Sequence, residues 1–190
     1  MNWDNIETHR LFLKGLDDSD AEFIFGEFSD GYVCRYLYDA EPFRDIDEAR
    51  ELIAHFGSDR NATINRWIIM DKGSGRRLGT CGFQCWDKEN NCIEVGYDLR
   101  EEHCRKGIMT EALKAIIGKA FSEKGINRIQ AFVSLDNIAS CKLLEKLGFK
   151  REGVIREKHH FRGKYYDHYC YSLLKREWAP GYAPDNRLSQ

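Results

Sequence analysis

Apolar residues recur along the first half of the chain in two periods, which predict helices and strands. Spacings of three and four residues predict one helix over 19–28, capped at Ser19 and Asp20, and a second over 45–56. Short apolar runs predict four strands, at residues 8–16, 66–70, 78–86 and 92–99. Turn-forming clusters at 71–75 and 87–91 join the last three, so we expect those strands to form an antiparallel meander.

The second half continues with a long apolar stripe and a closing hairpin. Residues 107–124 predict a buried helix that ends at Gly125, and residues 137–147 predict a helix that ends at Gly148. A strand is expected between them at 128–134, and residues 149–174 predict a hairpin that turns at 162–164. This order of elements predicts an α+β fold with a mixed sheet.

The size of the chain indicates one domain. Its 190 residues and 22.2 kDa fit a single domain, 1–190, whose core spans about residues 7–176. A hydrophobic content of 42% with only three prolines is typical of a folded protein rather than a disordered one. Residues 177–190 hold two prolines among polar residues, which predicts a loosely attached C-terminal tail.

Cysteine content and charge narrow the class of protein. The seven cysteines are scattered and form no Cys-x-x-Cys pair, so we expect free thiols. Since no apolar run approaches the roughly 20 residues of a membrane span and the charged first ten residues lack the pattern of a secretory signal, we expect a cytoplasmic protein that does not bind membranes. A net charge of −2 argues against nucleic-acid binding, although residues 17–59 carry −10 and residues 60–190 carry +8.

The segment at 104–113, Cys-Arg-Lys-Gly-Ile-Met-Thr-Glu-Ala-Leu, combines two bases and a glycine where a strand gives way to a helix. A helix N-terminus presents unpaired amides and a partial positive charge, and glycine lets a phosphate approach the backbone. The segment therefore predicts a diphosphate cradle, with an ordinary solvated loop as the alternative. It is neither a P-loop nor a dinucleotide fingerprint, because both of those glycine spacings are missing.

Here the sequence resembles the GNAT superfamily of acetyl-CoA-dependent N-acetyltransferases, and within it the RimJ/RimL-like branch that acetylates ribosomal proteins. Residues 94–99 resemble the family's fourth strand, and residues 105–112 its pyrophosphate loop. Residues 137–149 resemble its second cofactor motif, and residues 152–174 its closing hairpin. The resemblance implies a mostly antiparallel seven-stranded sheet flanked by about four helices, with acetyl-CoA as co-substrate.

The same resemblance implies a set of cofactor-binding residues. The family's loop pattern Gln/Arg-x-x-Gly-x-Gly/Ala falls on Cys104, Gly107 and Met109, and two of these three depart from it. Since Cys104 supplies no side-chain cation, Arg105 or Lys106 is expected to compensate. Main chain of the fourth strand would pair with the pantetheine arm. The residues implied are Tyr97, Asp98, Leu99, Cys104, Arg105, Lys106, Gly107, Ile108, Met109, Thr110, Asn137 and Ser140, with a plain helix cap as the alternative for Asn137.

Acetyl transfer from a thioester to an amine needs a donor for the oxyanion, a base for the ammonium and an acid for the thiolate. A main-chain amide near Tyr97 is the expected donor. The tyrosine that serves many relatives as acid is replaced by Leu144. The resemblance to the RimL-like branch implies Ser140, in the same motif, as the acid for the thiolate, with a serine bonded to its own helix as the alternative. Glu94 on the polar face of its strand is the candidate base, acting through water, with a solvated charge as the alternative.

No metal is expected, because the adjacent His159 and His160 would point to opposite sides of a strand. The expected partners are acetyl-CoA and an amine acceptor, and a homodimer is left open. At pH 7 roughly a tenth of α-amines but under a thousandth of lysines are neutral, which favours the N-terminus of a protein as acceptor. A polyamine, an aminoglycoside or another small amine is the alternative, and a sensor that binds acyl-CoA without turnover is a third.

Overall fold

The computed structural model describes residues 3–58 and 64–178. These residues form an eight-stranded sheet in the order β1-β2-β3-β4-β5-β6-β8-β7. The strands are β1 Ile6–Glu7, β2 Leu11–Gly15, β3 Asn65–Asp71, β4 Arg77–Asp87, β5 Cys92–Leu99, β6 Arg128–Ser134, β7 Lys150–Phe161 and β8 Lys164–Leu174. The helices are α1 Ala21–Phe28, α2 Ile46–Ser58, α3 Ile108–Glu123 and α4 Ile138–Lys146.

The expectation of seven strands needs one correction, because the sheet has an eighth, two-residue strand at its edge. Ile6 pairs with Leu13 across an antiparallel turn. The Thr8 hydroxyl closes this turn by accepting from the Leu11 amide at 2.9 Å. Two residues are too few for an alternating pattern, so the sequence predicted only the longer neighbouring strand. Most of the predicted tail, from residue 179 onward, lies outside the described residues.

The sheet separates two apolar clusters. On one face α3 and α4 cover the core, which includes Trp67, Phe83, Ile93, Ile116 and Leu144. On the other face α1 and α2 pack over β3 through a smaller cluster made of Ala21, Ile24, Ala49, Ile53 and Ile68. Alternation along each strand assigns its side chains to the two faces in turn. The α1/α2 face and the α3/α4 face are therefore chemically distinct sides of one sheet.

The parallel pair at the centre of the sheet is incomplete. β5 and β6 pair at Cys92, Ile93 and Glu94, and no pair is recorded beyond Glu94 and Gln130. β5 nevertheless continues along β4 to Leu99, and β6 continues along β8 to Ser134. The backbone edge of β5 beyond Glu94 is thus left without a strand partner among the described residues. An extended ligand can use that edge, because its amides and carbonyls need partners.

Candidate active site

The loop before α3 exposes the amides of the helix N-terminus. A short turn at Glu101–His103 leads into Arg105 and Gly107, both of which have positive φ, at 59° and 74°. The left-handed Gly107 starts α3, and no side chain in the described part of the chain caps that helix end. Glycine takes this conformation without strain. Arg105, Lys106 and Gly107 are exposed, so the first amides of α3 and two bases lie together at the surface.

Cys104 lies on the inner side of this loop. Its sulfur is 3.6 Å from the Tyr32 hydroxyl and 3.5 Å from the Arg100 carbonyl oxygen. An open cavity of about 250 Å³ lies against Tyr32, Glu101, Cys104 and Arg105. The side chain of Cys104 is therefore engaged with its own loop, and the bases beside the helix end are Arg105 and Lys106.

Two further residues that sequence reasoning did not select also contact this loop. Arg10 donates from Nη1 to the Lys106 carbonyl oxygen at 3.0 Å and from Nε to Glu111 at 2.7 Å. Thr8 donates to the same Glu111 carboxylate at 2.6 Å. Both residues lie about a hundred positions before the loop in sequence, so no local pattern linked them to it.

The predicted residues of β5 split between the two faces of the sheet. Tyr97 points to the α3/α4 face, where it packs against the main core. Asp98 points to the other face, and accepts from the Thr80 hydroxyl at 2.6 Å and from Arg66 at 2.7 Å. Gly96 has open space where a Cβ would be. The Asp98 side chain thus supports the α1/α2 face, and only its main chain is positioned for a ligand in the gap between β5 and β6.

Ser140 and Tyr97 meet at the N-terminal end of α4. Their hydroxyl oxygens are 2.7 Å apart, and the Asn137 side chain caps the helix by accepting from the Ser140 amide at 3.1 Å. Burial raises the pKa of Tyr97 well above its ordinary value, although the hydrogen bond with Ser140 acts in the opposite direction. The Tyr97 phenol therefore stays protonated at neutral pH. Leu144, at the position where many relatives have a tyrosine, lies in the core with no exposed surface. The tyrosine that contacts Ser140 is Tyr97 instead.

Glu94 lies on the opposite face of β5. Burial raises its pKa above the ordinary value, while a hydrogen bond from Gln84 at 2.9 Å and the charge of Lys158 lower it. The negative charge of Asp39, in the loop after α1, also raises the pKa of Glu94. A half-buried carboxylate whose pKa lies above its ordinary value is a better proton acceptor than a solvated one.

The histidines lie on the hairpin of β7 and β8. His159 is half-buried with its ring 4.7 Å from that of His168, whereas His160 is exposed against Tyr165. His168, which the sequence did not single out, is buried and also contacts Tyr38 from the loop after α1. No group of three or more His, Cys, Asp or Glu residues is arranged to hold a metal within residues 3–58 and 64–178.

A buried carboxyl group of α1 contacts Arg100, the residue that follows β5. Glu27 has no exposed surface, and its Oε2 accepts from Arg100 at 2.7 Å. Its other oxygen, Oε1, is buried and has no hydrogen-bond partner among residues 3–58 and 64–178. Burial and the neighbouring charge of Asp98 raise the pKa of Glu27 to about 8. Glu27 follows Ala21 and Ile24 at helical spacing, which was the available sign that this acid is buried.

The split sheet, the exposed helix end and the hydroxyl pair together have the chemistry to bind a thioester of a phosphorylated carrier. A family profile described as an acetyltransferase (GNAT) domain matches residues 10–150. The chain belongs to this family and is a GNAT N-acetyltransferase. Acetyl-CoA is accordingly its co-substrate.

Individual relatives agree with this assignment. The chain is 37% identical to the N-acetyltransferase p20 of Bacillus licheniformis over 93% of this chain and 99% of that protein. It is 34% identical to the ribosomal protein uS5-alanine N-acetyltransferase of Escherichia coli over 93% of each. The solved spermidine N-acetyltransferase of Vibrio cholerae, in complex with CoA and spermine, shares the fold with a TM-score of 0.79 at 21% identity, over 90% of this chain and 98% of that chain.

No helix within the described residues has both the length and the apolar character needed to cross a membrane.

Proposed function

We propose that this enzyme transfers acetyl from acetyl-CoA to the N-terminal α-amine of a protein, as the RimJ/RimL-like branch does with ribosomal proteins. One observation carries the proposal: the edge of β5 that lacks a strand partner begins at Glu94, whose side chain lies on the α1/α2 face. Such an edge offers the main-chain partners that a pantetheine arm requires. The half-buried carboxylate beside it offers a proton acceptor to an incoming ammonium.

The two faces of β5 would divide the proton transfers. On the α1/α2 face Glu94 would take the amine proton, through water. On the α3/α4 face Ser140, hydrogen-bonded to Tyr97, would donate to the departing sulfur. Because a thiol, with a pKa near 8.5, is more acidic than either hydroxyl, the pair would stabilise the departing thiolate by hydrogen bonding, and the thiolate would take its proton from solvent water.

The loop before α3 would hold the diphosphate of acetyl-CoA. Main-chain amides from Arg105 to Thr110 and the positive end of α3 suit an anion, and no side-chain cap competes for them. Arg105 and Lys106 would add positive charge in place of the missing cation at Cys104. Asn137 and the main chain of β5 from Tyr97 to Leu99 would hold the pantetheine arm.

An α-amine is favoured over a lysine-type amine on chemical grounds. Its pKa near 8 leaves about a tenth of it neutral at pH 7, and a lysine needs about 3 kcal/mol more assistance to lose its proton. The net charge of −10 over residues 17–59 would attract a basic protein N-terminus. The 34% identical relative from Escherichia coli is named for acetylating an alanine of ribosomal protein uS5.

A small polyamine is the second candidate acceptor. The same acidic segment attracts any cation, and in the Vibrio cholerae relative this fold serves spermidine. One peptide that carries both a free α-amine and a lysine, incubated beside spermidine, tests the proposal. We expect tandem mass spectrometry to locate acetyl on the α-amine. Acetyl only on lysine or spermidine would refute the proposed acceptor, and CoA bound without any acetylated product would indicate a sensor.

A further inference from the structure

Arg10 connects the N-terminal turn to the loop that precedes α3. It lies between β1 and β2, and its side chain makes two contacts there, to the Lys106 carbonyl oxygen at 3.0 Å and to Glu111 Oε2 at 2.7 Å. Its backbone amide also donates to Glu111 Oε1 at 2.8 Å. The third nitrogen, Nη2, would lie 3.4 Å from a Cβ added at Gly107, so the guanidinium lies directly against the turn that starts the helix.

The partner of Arg10 is a carboxylate in the first turn of α3. Burial acts to raise the pKa of Glu111, but hydrogen bonds from Thr8 and Arg10 outweigh burial and hold the pKa below its ordinary value. Glu111 is therefore ionised at neutral pH. A negative charge at this position stabilises the helix N-terminus, but it also repels a diphosphate that approaches the same amides.

We propose that Arg10 is a positioning residue for the diphosphate of acetyl-CoA, which fixes the Lys106 carbonyl and cancels the charge of Glu111 beside the phosphate site. The inference rests on the proposed use of this loop for acetyl-CoA. Cys104 brings no positive charge to the loop, so a Glu111 carboxylate without Arg10 beside it would weaken binding of the diphosphate. The side chain of Arg10 is 45% exposed and that of Glu111 20%, so both lie where a ligand's charge is felt.

A double-mutant cycle on Arg10 and Glu111 tests this role. We expect Arg10→Gln to weaken CoA binding about tenfold in calorimetry, the size of one lost charge compensation. Glu111→Gln should bind CoA at least as tightly as wild type, because the repulsive carboxylate is removed and the charge of Arg10 remains. The double variant should bind CoA more tightly than Arg10→Gln alone, since the uncompensated carboxylate is gone. Arg156→Gln, on the exposed strand β7, is the matched control and should bind as wild type.

Kinetics separate positioning from a general loss of structure. Arg10→Gln should raise the KM for acetyl-CoA without lowering kcat at saturation. The KM for S-acetylpantetheine, which lacks the diphosphate, should stay at the wild-type value. If Arg10→Gln does not fold, Arg10→Lys, which keeps the charge but not the paired hydrogen bonds, should show a smaller rise for acetyl-CoA and none for S-acetylpantetheine.

Four results would overturn the role of Arg10. The role would be refuted if Arg10→Gln left the affinity for CoA unchanged. It would also be refuted if the substitution raised the KM for S-acetylpantetheine as much as the KM for acetyl-CoA. A double variant as weak as Arg10→Gln would exclude charge cancellation. A wild-type protein that binds no CoA at all would refute the proposed function itself, and with it the role of Arg10.

Discussion

Single residues on β5 give the two faces of the sheet different chemistry. Tyr97 and Glu94 are three positions apart on one strand, yet alternation sends one to Ser140 and the other to Gln84. A protonated phenol thus lies on one face, and a carboxylate with a raised pKa lies on the other. In the proposed mechanism the strand itself would keep the acid and the base apart.

Ser140→Ala tests the acid side. We expect kcat to fall at least tenfold with little change in the KM for acetyl-CoA, because a donor to the departing sulfur acts mainly in the transition state. Steady-state kinetics with Ser122→Ala as control measures this, since Ser122 only bonds the Gly118 carbonyl oxygen on the exposed side of α3. A wild-type kcat in Ser140→Ala would mean that this serine merely belongs to its helix turn.

Glu94→Gln tests the base side through the pH profile of kcat/KM. Because burial raises the pKa of Glu94, activity should rise as pH increases through that pKa, and the substitution should flatten this acid limb. If the amine simply arrives neutral, the limb will instead move up by about 2 units when a lysine-type acceptor replaces an α-amine. Glu89→Gln, in an exposed turn, is the control. A limb that follows the acceptor alone removes Glu94 from the catalytic residues.

The raised pKa of Glu27 predicts how the stability of the protein depends on pH. Its folded pKa of about 8 lies above the unfolded value near 4.5, so its stabilising contribution is complete below pH 4.5 and declines as pH rises to about 8. Glu27→Gln should gain stability relative to wild type over this range, by at most about 1.4 kcal/mol per pH unit. Tm measured from pH 5 to 8.5, with the exposed Glu22→Gln as control, checks this slope. A difference independent of pH would mean that Glu27 is ionised throughout.

Residue types and local spacing indicated some of these side chains and not others. Glu94 and Ser140 were predictable from strand alternation and from the family motif. The contact between Tyr97 and Ser140 was not, because it joins positions 43 apart through the packing of α4 on the sheet. Arg10 and Glu111 were missed for the same reason.

Among the elements, the loop and first turn of α3 carry the cofactor assignment. The uncapped helix end, the left-handed Gly107 and the two exposed bases all favour an anion. The helix bounds follow the apolar stripe closely, since α3 begins within one residue of the predicted start and ends just before Gly125. The two-residue β1 had no such pattern and was missed.

Charge reversal at Arg105 and Lys106 tests this element. We expect acetyl-CoA to raise the Tm of the wild-type protein, and Arg105→Glu with Lys106→Glu to weaken its binding at least tenfold, because two repulsive charges replace two attractive ones. Calorimetry at two salt concentrations checks the electrostatic origin. Reversal of Arg151 and Arg156 on β7 is the matched control. Unchanged affinity in the loop variant would show that the diphosphate binds elsewhere.

For the whole molecule, the decisive feature is where the sheet splits. The order of elements predicted a mixed sheet, but the point where β5 and β6 separate depends on pairing between strands that are distant in sequence. Beside that gap, alternation along β5 places Tyr97, with Ser140, on one face of the sheet and Glu94 on the other. The acidic segment over residues 17–59 includes the two helices on the Glu94 side, so the charge asymmetry of the sequence becomes an asymmetry between the faces of the sheet.

The choice of acceptor is tested most directly by competition in one reaction. A peptide with a free N-terminal alanine and blocked lysines competes with spermidine at equal concentration for limiting acetyl-CoA at pH 7, and mass spectrometry counts both products. Mass detection avoids thiol reagents, which would also react with the free cysteines of the enzyme. We predict at least tenfold more acetyl on the peptide α-amine, in line with its larger neutral fraction. N-acetylspermidine as the main product would contradict the account.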